Sequence, residues 1–234
     1  MESGEWKVES GKRRVGEPVS ERTLVCFDLG GVLVRICRDW AEGCAAADVP
    51  VRSFEAGPEH QAARHELVMS LQRGELDGSD FHRAMSDLFE GVWSADEIAR
   101  VDAAWLLGEY PGTTDLVHEL HAADIETACL SNTSHDHWGP LRAYANVAAL
   151  RHQHASHLLG LVKPDEAIYR RFESLVERTP GEIVFFDDLP ENVEAARRFG
   201  WDAVRIDHAG DPAAQIRAAL ADRAILRGNG TSVT

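Results

Sequence analysis

Cysteine is scarce in this chain, and the little there is forms no motif. Cys26, Cys37, Cys44 and Cys129 include no CxxC pair, so the usual signature of a redox dithiol or a structural zinc site is missing. Cys26 and Cys129 sit inside apolar, strand-like runs and read as small buried hydrophobes; all four are expected to be reduced. Long apolar runs are missing too, and no stretch approaches the roughly 18 residues of a membrane span. Residues 1–22 carry charges and glycines without an apolar centre, which excludes a secretory signal and reads as a disordered leader. Cations are in deficit: 24 Lys and Arg against 39 Asp and Glu leave a formal charge of −15. That balance argues against a nucleic-acid backbone or an anionic membrane as partner. A soluble cytoplasmic protein, monomeric or homodimeric, is expected. There is no internal repeat and no low-complexity tract.

What the chain does have is enough apolar content, 44% of 234 residues, to bury a substantial core. Its organising stretch runs from Thr23 to Val34. An apolar, β-prone run reaches one carboxylate, Asp28, and Gly30-Gly31 follows at once. Such a run reads as a strand buried on both faces, with a tight backbone exit at its C-terminal end. In open α/β sheets that end is where ligands bind.

From Cys37 to about Glu109 the pattern turns helical. Asp39-Trp40-Ala41 opens an Ala-rich segment that Pro50 stops, and 58–74 is a helix candidate. Ser79 is expected to cap a helix bearing Phe81, Met85, Leu88 and Phe89. Ser94-Ala95-Asp96-Glu97 forms a capping box before Ile98, Val101 and Trp105. From Tyr110 strands and helices alternate, with strands expected at 125–131, near 150–154, at 183–188 and at 203–206. This alternation implies a parallel sheet. The expected organisation is therefore a leader at 1–22 and an α/β core made of 23–36 and 110–221. A helical cap is inserted at 37–109, and a flexible tail covers 222–234.

Three further groups fall at strand ends. Leu130-Ser131-Asn132-Thr133 offers a hydroxyl and backbone amides entering a helix, which suits phosphate oxygens. Lys163-Pro164-Asp165 places a lysine where it can neutralise a phosphoryl group and keep Asp28 ionised. Asp187-Asp188 follows a fully apolar strand, and two adjacent acids there are costly to bury unless a cation neutralises them.

In this order, Phe27-Asp28-Leu29-Gly30-Gly31-Val32-Leu33, Leu130-Ser131-Asn132-Thr133, Lys163-Pro164-Asp165 and Phe185-Phe186-Asp187-Asp188 with Asn192 resemble the haloacid dehalogenase superfamily. The likeness spans about Thr23 to Ile206 and is greatest to its phosphatases with a helical cap after the first motif. The resemblance implies a Rossmann-like α/β core and a Mg2+-dependent phosphatase of a small phosphorylated metabolite, such as a sugar phosphate. It implies Asp28 as nucleophile, with Mg2+ held by Asp28, the Gly30 carbonyl and Asp188, and Asp187 behind them. Ser131, Asn132 and Gly31 would hold the phosphoryl oxygens, Lys163 would neutralise charge, and Asn192 would order the acidic loop. Arg38, with Arg35 and Trp40, sits where the chain leaves the core and would be close to a substrate.

One departure matters. Most phosphatases of this superfamily carry a second Asp two residues after the nucleophile, to protonate the leaving group; here that position is Gly30. Such help is typically worth ~10²–10⁴-fold. A good leaving group, or a proton from elsewhere, is then expected, with His60, His65 and His82 as candidates. Two other readings stand beside this one: a metal-independent hydrolase of carbon–halogen bonds, which also lacks the second Asp, and a non-catalytic binding module.

Overall fold

The computed structural model describes residues 22–226. The leader at 1–21 and the residues after 226 lie outside the described chain.

The chain begins with β1 (Leu24–Phe27), whose four residues are all buried. A tight turn follows: the Leu29 carbonyl accepts from the amides of Val32, Leu33 and Val34. β2 (Val34–Ile36) leads out to four helices, α1 (Trp40–Ala46), α2 (Pro58–Gln72), α3 (Gly78–Leu88) and α4 (Ala95–Ala103), and β3 (Leu106–Glu109) leads back. Then come α5 (Thr113–Ala122), β4 (Glu126–Ser131), α6 (His135–Ala143), α7 (Ala145–Ala148), β5 (His152–Ala155) and α8 (Ser156–Leu159). The last part holds α9 (Glu166–Val176), β6 (Ile183–Asp187), α10 (Pro190–Arg198), β7 (Asp202–Arg205) and α11 (Pro212–Asp222).

β5-β4-β1-β6-β7 form one sheet in that order, every pair parallel, so the fold is a Rossmann-like α/β layer structure. β1 is central, which is why its run is apolar on both faces. One core cluster packs Val25, Phe27, Phe186, Leu116 and Ile216 on one face of the sheet. The other packs Cys26, Phe185, Tyr169, Phe172 and Trp201. A third cluster belongs to α1–α4 alone, around Cys44, Leu71, Met85, Trp93 and Val101. All four cysteines are buried and free.

The structure corrects the sequence reading in three places. β2 and β3 pair antiparallel as a two-stranded ribbon, where only helix was expected up to Glu109. The strands are short and mostly half-buried, so neither shows the alternation that marks a strand in sequence. Asp77, not Ser79, caps α3: its carboxylate accepts from the Asp80 amide, and the Ser79 hydroxyl donates to Asp77 instead. The tail does not start at 222. Arg223 pairs with Asp202, and Ile225 is buried against the first cluster. The Ser94 capping box forms as expected.

Candidate active site

Asp28 is the first residue beyond β1 and is 8% exposed. Its amide donates to the Phe186 carbonyl at 2.8 Å, so the β1–β6 ladder fixes its backbone. Lys163 reaches in from the chain before α9. It is the only lysine after Lys12, and its ammonium is fully buried. Nζ lies 2.7 Å from Asp187 Oδ2, to which it donates a hydrogen bond, and 3.0 Å from Asp28 Oδ1. The second contact is an ion pair outside hydrogen-bond angles, so Asp28 Oδ1 is buried and receives no hydrogen bond among the described residues.

Asp187 contrasts with it. At the end of β6 and fully buried, it also accepts from the Leu189 amide at 2.9 Å and from the Asn192 amide group at 3.0 and 3.2 Å. Its oxygens are taken, and its work is to anchor Lys163. Asn192 donates to both Asp187 oxygens.

Asp188 is 5% exposed. Arg38 donates to its Oδ2 at 2.9 Å, and His208 Nδ1 stands at 3.7 Å. Expected to face a substrate, Arg38 is instead folded onto this carboxylate. Gly31 lies beneath both, with φ +82°, and a Cβ there would collide with the Asp188 carboxylate and the Arg38 guanidinium. Its value is close backbone approach rather than a ligand contact. Asn132 also differs from expectation: its side chain clamps the Lys163 backbone, donating to the carbonyl and accepting from the amide, each at 2.9 Å. Ser131 ends β4, is buried, and lines a cavity described below.

The electrostatics follow from crowding. Asp28, Asp187 and Asp188 bring carboxylate oxygens within 4.8 Å of one another in buried surroundings. Burial, helped by Asp187 and Asp188 and opposed by Lys163, pushes the Asp28 carboxyl up to about 7. Burial also raises that of Asp188, against the pull of Arg38. Burial works against charge on Lys163, but Asp187 and Asp28 outweigh it and raise the pKa of its ammonium. Three acids thus face two bases, leaving an uncompensated negative charge. The Gly30 carbonyl, one residue beyond Leu29, accepts no backbone hydrogen bond among the described residues. An all-oxygen donor set with excess negative charge fits a hard divalent cation such as Mg2+.

These loops open on a cavity of about 300 Å³ between the sheet and the helical insertion. Gly30, Ser131 and Asn132 form its inner end, and Trp40, Phe81 and Trp105 its apolar wall. His137 and Asp102 line it as well. His137 Nε2 is 2.8 Å from the Asp102 carbonyl oxygen, and His82 Nε2 is 3.0 Å from Asp102 Oδ2, so this trio ties α3 and α4 to α6. His82 is therefore turned onto Asp102, whereas His60 and His65 line a second, outer cavity.

The haloacid dehalogenase-like hydrolase family profile matches residues 23–200. The chain belongs to that family. Acyl-CoA dehydrogenase family member 10 of Mus musculus is 26% identical over 198 residues, which is 78% of this chain but only 18% of the mouse protein. Phosphatase MT3486 of Mycobacterium tuberculosis is 27% identical over 200 residues, 80% of this chain and 88% of that protein. Among solved structures, a HAD-like hydrolase of Porphyromonas gingivalis superposes with a TM-score of 0.66 at 22% identity, over 85% of this chain and 97% of its own. A HAD family enzyme of Bacteroides thetaiotaomicron in complex with magnesium and inorganic phosphate gives 0.62 at 18% identity, over 81% and 96%. The L-2-haloacid dehalogenase of Xanthobacter autotrophicus with covalently bound chloropropionic acid gives 0.56 at 20%, over 84% and 82%. At these identities the structures share the fold with this hydrolase. Among its described residues no helix is long and apolar enough to cross a membrane.

Trp40, expected from the sequence to be close to a substrate, is one of the residues lining the cavity. The sequence offered no sign of Gln72, Asp102 or Arg64, whose common surroundings arise only when the insertion folds back over the sheet. Arg35 points elsewhere, donating to the Leu107 carbonyl.

Proposed function

We propose that this hydrolase is a Mg2+-dependent phosphatase of small phosphorylated metabolites that works through a phosphoryl-Asp28 intermediate. The observation that carries the reading is Asp28 itself. It is a buried carboxylate with one oxygen free of hydrogen bonds, beside a buried ammonium and an all-oxygen donor set. The side chain keeps 11% exposure, and aspartyl phosphates are a known covalent route for such a carboxylate.

In the first step an Asp28 oxygen bonds to phosphorus and the bond from phosphorus to the ester oxygen breaks. The departing oxygen takes a proton from water. In the second step water attacks phosphorus, the bond to Asp28 breaks, and inorganic phosphate leaves with the carboxylate restored. Ser131 and the amides around Asn132 hold the phosphoryl oxygens, and Lys163 neutralises charge on them and on Asp28. Asp187 keeps Lys163 in place, Asn192 keeps Asp187, and the Asn132 side chain fixes the lysine backbone. Asp28, Asp188 and the Gly30 carbonyl are the residues that would hold Mg2+, which when bound neutralises the negative charge that builds up in transfer. Residues 37–109 serve as the cap over the cavity. The phosphatase name of the M. tuberculosis relative and the magnesium and phosphate bound by the B. thetaiotaomicron enzyme support the reading. The free, buried thiols support a cytoplasmic setting.

Gly30 gives the departing oxygen no acid, so esters with good leaving groups are the preferred substrates. A panel of phosphate esters assayed with Mg2+ and with chelator tests the proposal. Phosphate release that requires the cation is expected, and full activity in chelator would refute the metal site. A second reading, hydrolysis of carbon–halogen bonds, has one observation on its side: Arg38 already neutralises Asp188 without a metal. Halide release from 2-haloacids, measured on the same protein, separates the two.

A further inference from the structure

The loop after β4 is tied down on both sides of the Asn132 backbone. The Asn132 side chain spans the Lys163 backbone, 2.9 Å from its carbonyl oxygen and 2.9 Å from its amide. The next residue, Thr133, is held by Ser156, the first residue of α8. The register of the sheet makes this contact: Ser131 pairs with Ala155, so the two chains run on side by side and Ser156 meets Thr133. The Ser156 hydroxyl accepts from the Thr133 amide at 2.9 Å and donates to the Thr133 carbonyl at 3.1 Å. A hydroxyl is both donor and acceptor, so one fully buried side chain serves both backbone groups of one residue. His157 Nδ1 donates to the same carbonyl at 3.1 Å. The Thr133 carbonyl therefore has two donors, whereas its buried amide has a single acceptor, Ser156. What this clamp leaves over is the Asn132 amide and the Ser131 hydroxyl. Both belong to residues that line the cavity, and neither has a hydrogen-bond partner among the described residues.

We infer that Ser156 is a positioning residue for the phosphate group of the substrate: it takes the Thr133 amide out of use and so presents the Asn132 amide and the Ser131 hydroxyl to the phosphoryl oxygens. This rests on the phosphatase reading and removes the Thr133 amide from the donors which that reading invokes. Ser156 touches no reacting atom and acts only through the loop. Without its hydroxyl the Thr133 carbonyl keeps His157, but the amide loses its acceptor. A buried N–H left without an acceptor is costly, so it turns toward water or a bound anion. That N–H lies in the same planar unit as the Asn132 carbonyl, so the backbone of Asn132 turns with it. The Asn132 amide is then no longer held in one place for a phosphoryl oxygen.

The test follows backbone amides by NMR while inorganic phosphate is titrated into the wild-type protein with Mg2+. The Asn132 amide proton should move downfield as it gains a charged acceptor. That of Thr133, already bonded to Ser156, should move little and exchange slowly with solvent. A Thr133 response as large as that of Asn132 overturns the inference, and this arm needs no variant. Calorimetry then compares the wild type with Ser156→Ala. Phosphate should bind about tenfold more weakly to the variant, while Mg2+ titrated alone binds within about twofold of the wild type. Loss of both affinities in step would mark a general loosening and overturn the inference. Unchanged or tighter phosphate binding by folded Ser156→Ala, with esters still hydrolysed by the wild type, overturns it and leaves the phosphatase reading standing. Phosphate binding that depends on Ser156, without phosphate release from any ester, keeps the positioning role and removes the phosphatase reading.

Discussion

Where β1, β4 and β6 stop, side chains are locked to one another; on the wall contributed by α1 and α2, two buried polar atoms find no partner among the described residues. Asp187 alone takes hydrogen bonds from Lys163, Leu189 and Asn192, and Asn132 clamps the lysine from the other side. Trp40 Nε1 and Gln72 Oε1 have no such partners among the described residues. The inner end is organised to hold one geometry whatever is bound, as a reacting group requires. Asp28 is the exception there: its Oδ1 is ion-paired to Lys163 and receives no hydrogen bond among the described residues, and it is the group proposed to react.

The largest effect should come from removing the exception. Asp28→Asn is expected to lower phosphate release by on the order of 10⁴-fold, as loss of a nucleophile does. It should also stabilise the protein in chelator. The Asp28 carboxyl is raised to about 7 by burial and its neighbouring acids, whereas an unfolded carboxylate keeps its ordinary low value. The folded state therefore binds more protons between about pH 4 and pH 7, so cation-free stability falls as pH rises through that window. Asn cannot ionise and escapes this loss. Melting curves in chelator should place Asp28→Asn above the wild type at pH 8, with the gap closing near pH 4. A variant that melts lower at pH 8 would contradict the crowded-charge account.

Breaking the frame itself comes next. Lys163→Met leaves Asp187 and Asp28 without their shared cation, and removal of one partner from a buried pair costs about 3–5 kcal/mol. Denaturant unfolding should show a loss of that order together with loss of turnover. Unchanged stability would mean the frame is not held by charge.

Gly30→Asp sharpens the comparison by adding to the inner end what it lacks. Gly30 has an ordinary backbone conformation, and an added Cβ meets only Ile36 Cδ1 at 2.9 Å, the far end of a flexible side chain. Esters with poor leaving groups should gain about tenfold, a barrier change of about 1.4 kcal/mol, and those with good ones little. An equal gain across a series of aryl phosphates would mean that proton donation is not what Gly30 withholds. Gly31→Ala next door should instead damage the protein, because it places a Cβ into Asp188 and Arg38.

The smallest effect lies in the insertion, away from the chemistry. Asp77→Ala should lower the melting temperature slightly through loss of the α3 cap, and Ser79→Ala should lower it less. The reverse order would restore Ser79 as the cap.

The inner end was legible in the sequence because buried parallel strands leave an unmistakable trace. Val25 to Phe27 and Ile183 to Phe186 are unbroken apolar runs, and each stops at its acid. Asp77 and Ser79 are both good capping residues two positions apart, and only the backbone decides between them. β2 and β3 left no trace, since strands of three and four residues at mixed burial carry no period. The wall was illegible for a different reason. Trp40, Arg64, Gln72 and Asp102 come from three helices and meet through the packing of apolar side chains that many sequences would satisfy. The position of Arg38 could not be read either, because its partner Asp188 lies 150 residues away.

The claim that Asp28 is the attacking group is tested most directly by trapping it. Protein turning over 2-naphthyl phosphate in Mg2+ is quenched in acid and digested, and the peptide carrying Asp28 is weighed. The account predicts a phosphoryl group on Asp28 during turnover, absent in chelator, and neither adduct nor phosphate release in folded Asp28→Asn. Phosphate release at the wild-type rate by that variant would contradict it.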